Sequence, residues 1–134
     1  MGATTGYGST FDLEVTRKNA KNILATNRHH ALILAGRLRY LANGYKAGTV
    51  LALNSVDGLL DAYDDAVAAS GVDTAVGVLL VEMVDLSASE NPLAPVVYGG
   101  ELLEDKLVGL DANAKTDLKS RTIVAADGTN ILKF

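Results

Sequence analysis

Few side chains in this 134-residue sequence could do chemistry, and their spacing argues against most reactions. His29 and His30 are the only histidines. Adjacent strand positions point to opposite faces, so the two cannot easily chelate one metal. Cysteine is absent and no third nitrogen ligand follows, so neither zinc nor copper is expected. Asp61, Asp64 and Asp65 crowd together, but lack the spaced Asp/Asn and bidentate Glu of a calcium loop. They read as a solvated loop. Glu101, Glu104 and Asp105 are of the right type for paired acid–base work, yet nothing in the sequence sets them across a cleft. Gly99-Gly100-Glu101 is followed by no lysine-serine pair to cradle phosphate, and no serine sits in a nucleophile-elbow pattern. The expectation is a protein without catalytic, cofactor or metal groups, not an enzyme.

The elements that would position these groups are arranged around Thr74-Ala75-Val76-Gly77-Val78-Leu79-Leu80-Val81-Glu82-Met83-Val84-Asp85. It is the densest apolar run, rich in β-branched residues, and reads as a buried strand. Gly77 within it marks a bulge, a bend or a close backbone neighbour. From Glu82 onward polar and apolar residues alternate, as in a strand whose one face meets solvent.

Upstream, Ala31-Leu32-Ile33-Leu34-Ala35 suits a strand, Asn43-Gly44 a turn, and residues 47–53 a second strand. Residues 57–71 have helix-forming composition, but Gly58 stands in the would-be first turn, so a strand at 59–63 and then a loop is preferred. Residues 87–95 carry both prolines, Pro92 and Pro95, and read as a polar loop before a short strand at Val96-Val97-Tyr98. Residues 101–110 continue as strand or as one helical turn. A short helix is expected from Asp111 or Asn113 to about residue 121. Strands at 122–125 and 131–134 close the chain around an Asp127-Gly128 turn. Many short strands and one short helix describe a mainly β domain, a small β-barrel or β-clip, over residues 28–134. Residues 1–27 form an N-terminal arm, flexible or partly helical.

Hydrophobic residues make up 49% of the chain but aromatics only 5%, so the core must be aliphatic. No apolar run approaches the roughly 20 residues of a membrane span. The first residues lack the basic-then-apolar layout of a signal peptide, so a soluble protein made inside the cell is expected. Net charge is −4, divided unevenly. Residues 1–46 hold seven Lys/Arg against two acids, and residues 47–134 five against 14. The basic front suits docking onto something negative, which includes the chain's own body or a sister subunit.

Three segments together resemble the phage head decoration family, the capsid-stabilising proteins typified by that of phage lambda. One is Ala47-Gly48-Thr49-Val50-Leu51. The next is Gly58-Leu59-Leu60-Asp61-Ala62-Tyr63, followed by Ala75-Val76-Gly77-Val78-Leu79. The last runs Lys119-Ser120-Arg121-Thr122-Ile123-Val124-Ala125 and ends in Asn130-Ile131-Leu132-Lys133-Phe134. Between them, Pro95-Val96-Val97-Tyr98-Gly99-Gly100 sits where the family has a strand and a glycine turn. The match spans residues 45–134 in order. The first 45 residues depart from the lambda type, whose arm is shorter and rich in Pro and Thr.

The resemblance implies a virion structural protein, made in the bacterial host cytoplasm and bound to the outer capsid surface. It would trimerise on the expanded head and clamp the major capsid protein, without direct nucleic acid or membrane contact. An arm can add a strand to a capsid sheet edge, where main-chain hydrogen bonds give affinity. Tyr7 and the alternating Phe11, Leu13 and Val15 suit such a capsid-contacting arm. The competing reading is a nucleic-acid-binding or regulatory β-barrel module using the basic front. It lacks interleaved aromatics beyond Tyr40 and Tyr45, and its acidic body would repel phosphates.

Overall fold

The computed structural model describes residues 23–25, 31–68, 70–83 and 90–134. They form a mainly β structure of two antiparallel sheets. The larger sheet has the order β1-β5-β4-β2-β3, from β1 (Leu32–Arg37), β2 (Val50–Leu53), β3 (Leu60–Ala62), β4 (Ala75–Leu79) and β5 (Leu93–Gly99). The smaller has the order β6-β8-β7, from β6 (Glu101–Leu103), β7 (Arg121–Val124) and β8 (Asn130–Lys133). One 3-10 turn, Glu104–Lys106, and one α-helix, α1 (Ala112–Asp117), connect β6 to β7. Residues 101–110 thus hold both the strand and the helical turn that their sequence left open.

The larger sheet curls, but it is not the closed barrel its strand count allows. Its edges β1 and β3 meet through a single parallel bridge, Leu38 to Leu60, with Arg39 N–H donating to the Leu60 carbonyl at 2.9 Å. Both faces of this sheet are buried along its middle strands, which explains their near-continuous apolar composition. Leu51, Leu60, Leu79, Ala94 and Val96 fill the concave side with Leu38 and Tyr45. Val50, Ala52, Val78 and Val97 face the other way, toward Leu102 of β6 and Ala114 of α1. Two small, mainly aliphatic cores lie back to back on one sheet.

β4 is the axis of this arrangement. Its register against β2 slips: Leu51 opposes Gly77 while Ala52 opposes Ala75, so Val76 is the extra residue of a bulge. A Cβ on Gly77 would stand 2.9 Å from both Val96 Cγ1 and the Val97 carbonyl oxygen. The close neighbour and the bulge therefore occur together at that glycine. β4 ends at Leu79, and the expected strand to residue 85 is interrupted, although Met83 rejoins through a bridge to Tyr45.

Three expected boundaries are corrected. The strand expected from residue 47 begins at Val50, because Gly48 takes φ +88 and a Cβ there would overlap the Lys106 carbonyl. The loop expected through residue 95 ends earlier. β5 begins at Leu93 and includes Pro95, which has no N–H to give the ladder but pairs with Ala35 and accepts at its carbonyl from Leu80 N–H at 3.0 Å. The helix is shorter than expected, capped by Asp111, whose Oδ1 accepts from Ala114 N–H at 2.7 Å. It stops at Leu118, and Lys119 turns the chain with φ 53.

Candidate interaction surface

The arm residues Tyr7, Phe11, Leu13 and Val15, and the pair His29 and His30, lie outside the described residues. Part of the arm does lie within them. Ile23 is buried, Leu103 N–H donates to its carbonyl at 2.7 Å, and Ala25 N–H donates to Glu101 at 2.9 Å. Residues 23–25 thus extend the smaller sheet beyond β6, with Leu24 bridging Leu102.

Of the acidic residues singled out by type, all but Asp105 have partners among the described residues, and the partners differ. Asp61 accepts from Arg39 Nε at 2.6 Å and from Asn54 Nδ2 at 3.1 Å. Asp64 accepts from Ala66 N–H, and Asp65 from Asn113 Nδ2 at 2.8 Å. Glu101 faces Lys133 at 3.6 Å, while Glu104 pairs with Lys115 and accepts from Thr122 Oγ1. Among the described residues, no three metal-capable side chains converge.

What the sequence did not disclose is a latch where the curled sheet meets itself. Arg39 reaches Asp61 on β3 and Asp57 in the turn before it, both at 2.6 Å. Asn54 and Asp57 each accept from the amide two residues on, Val56 and Leu59, which rigidifies the turn. Tyr45 O–H donates to the Arg39 carbonyl at 2.5 Å. The Arg39 hydrogen bond holds the Asp57 carboxyl below its ordinary range, helped by Leu59 N–H. Burial pushes the Tyr45 phenol up to about 12. The Asx turns were readable from Asn54 and Asp57. The Arg39 contacts, spanning 18 and 22 residues, were not.

A second set fixes α1 to the body. Tyr63 O–H donates to Asp111 at 3.0 Å, and Asp117 accepts from Ala75 N–H at 2.9 Å. Burial, and then the Asp111 carboxylate, raise the Tyr63 phenol above its ordinary value. These groups are structural links in which each donor meets an acceptor.

The surface left for a partner is made of strand edges. Among the described residues β1 pairs only with β5, and β7 only with β8, so each has one side without a strand partner there. On β1, Leu32 and Leu34 are each 53% exposed, on the face that also carries buried Gly36. Leu53 and Val124 are further exposed aliphatic side chains on strands. Among the described residues no helix is long and apolar enough to cross a membrane. Comparison with protein-family models and with curated proteins finds no match for this chain.

Proposed function

We propose that the chain is a non-catalytic virion structural protein, a decoration protein that binds the outside of an expanded phage head as a homotrimer. The observation that carries this reading is the two strands, β1 and β7, that pair on one side only among the described residues. β1 and β7 offer main-chain donors and acceptors, with half-exposed aliphatic side chains beside them. Such a surface suits a module that binds by strand addition and shape. A ring of three heterologous contacts would cover edges that a lone subunit leaves open.

The sequence resemblance adds support because its segments fall on real elements. Ala75 to Leu79 is β4, and the C-terminal segments are β7 and β8. The major capsid protein is the partner this reading names, with three weak contacts made strong by multiplicity. Co-sedimentation with expanded heads, together with light scattering of the free protein, tests it. Binding to heads and a trimer mass are expected. A monomer at high concentration that also fails to sediment with heads would overturn the reading.

A further inference from the structure

The two ends of the curled sheet are unlike. At one end Leu38, Tyr45, Leu79 and Ala94 close the concave side, none of them more than 5% exposed. The antiparallel registers gather the start of β1, the end of β5, the start of β4 and the end of β2 at the other. There Leu34 and Leu53 are about half exposed, although both belong to the concave face. Leu53 opposes buried Leu60, and Leu34 shares a side with Gly36, whose Cβ would meet Leu60 and Val96. Val76 and Tyr98 pack against the same core. This end is an apolar mouth, and Leu60 and Val96 form its floor.

Beside the mouth runs the outer edge of β1. Leu38 N–H donates toward β5, at Pro92, while Arg39 N–H donates away from it, to Leu60. By alternation the main-chain groups of Ile33, Ala35 and Arg37 face outward with those of Arg39. Pro95 agrees, since it opposes Ala35 and turns its carbonyl away from β1, to Leu80 N–H. Among the described residues the strand pairing on this side is the one bridge from Leu38 to Leu60, so the slot runs from Leu32 to Arg37 and stops there. β1 also has no proline and no lysine to blunt it.

From this geometry we infer that β1 is the edge that meets the shell, taking an extended segment of the major capsid protein whose apolar side chains sit in the mouth; this rests on the reading of the chain as a decoration protein. An added strand sets every second side chain over Leu32 and Leu34, and the others over Ile33, Ala35 and Arg37. Arg37 is exposed and donates to the Asn91 carbonyl at 2.7 Å, and among the described residues no carboxylate pairs with it. The segment that fits is therefore aliphatic at alternate positions, with a carboxylate among the residues between. A second copy is the poorer occupant. Its β7 carries Arg121 and no carboxylate, so it offers Arg37 no counter-charge, and the Asp61 of its β3 is held by Arg39. β7 is then the edge left to the ring of three.

Hydrogen exchange of the full-length protein, free and bound to expanded heads, tests this. On heads the amides of Ile33, Ala35 and Arg37 should exchange about tenfold or more slowly than in the free protein. Leu34→Asp changes an exposed position, so it should leave the free protein's melting unaltered and weaken head binding about tenfold or more. Arg37→Glu should bind several-fold more weakly, with a deficit that narrows in high salt, and Arg37→Lys should bind nearly as wild type. Wild-type protein that fails to sediment with heads overturns the decoration reading and this one with it. Binding to heads with unchanged β1 exchange and an undiminished Leu34→Asp overturns the β1 slot alone. Protection of the three amides that rises with protein concentration in the absence of heads also overturns it, and gives β1 to a second copy. Protection already complete in the dilute free protein does so too, and gives β1 to its own chain. If Leu34→Asp does not fold, exchange in the wild-type protein decides.

Discussion

One methyl group at Gly77 tests whether β4 is where the two cores meet. In Gly77→Ala the new Cβ lies 2.9 Å from Val96 Cγ1 and 2.9 Å from the Val97 carbonyl oxygen, with Tyr98 Cδ1 at 3.3 Å. Val96 could turn, but the Val97 oxygen is backbone of a strand paired on both sides, at Ile33 and at Val78. Overpacking of this kind costs about 1–3 kcal/mol. Replacing glycine also removes unfolded-state entropy, which returns roughly 0.4–1 kcal/mol. The net loss is about 1–2 kcal/mol, or roughly 3–10 °C in Tm for a domain of this size. Thermal melts followed by circular dichroism, with urea titration to check that the m-value holds, measure it. Gly77→Val should lose more. A Gly77→Ala protein that melts at or above the wild-type temperature would refute the placing of β4 against β5.

Leu79→Ala empties a fully buried site on the concave side and should cost about 2–5 kcal/mol, read as a drop in urea midpoint. Arg39→Ala removes both latch contacts and leaves Asp61, the less exposed of its two partners, without its cation; a loss of about 1–2 kcal/mol that shrinks in high salt is expected. On the acid side, the Asp57 carboxyl is depressed, so the stability it lends is present above its unfolded pKa and fades as pH falls below about 4. On the alkaline side, Tyr45 is raised to about 12, so its share is intact below about pH 10 and is lost as pH rises through 12. Tyr45→Phe should flatten that alkaline loss in part, since Tyr63 is shifted in the same direction.

The strands that show in the sequence are those whose neighbours in sequence carry the whole signal. The run containing β4, the aliphatic stretch that becomes β1, and the strand-then-loop reading of residues 57–71 all stand in the fold. Asp111 is legible as a cap because its contact is local. β5 is not legible at its start, because Leu93, Ala94 and Pro95 are strand residues through their pairing with Arg37, Gly36 and Ala35 of the distant β1. Closure is not legible either. A barrel and a curled sheet joined by one bridge share the same alternation and turns, and differ in pairings such as Leu38 with Leu60 and Arg39 with Asp61. The acidic clusters looked alike by type, and it is their distant partners that separate them: Asp61 holds the latch while Asp65 holds α1. The arm residues Tyr7, Phe11, Leu13 and Val15 lie outside the described residues, and their part rests on pattern.

Residues 23–25 also have a mechanical consequence. They run antiparallel to β6, held by the two main-chain bonds at Ile23 and Ala25. A pull on the N-terminal segment along that axis loads both bonds together, as shear, and passes directly to Leu102 in the core. A pull at right angles opens them one after the other, as a zip. The body should therefore resist tension along β6 better than tension across it, so the direction in which an attached arm leaves the body sets the force its anchor can hold.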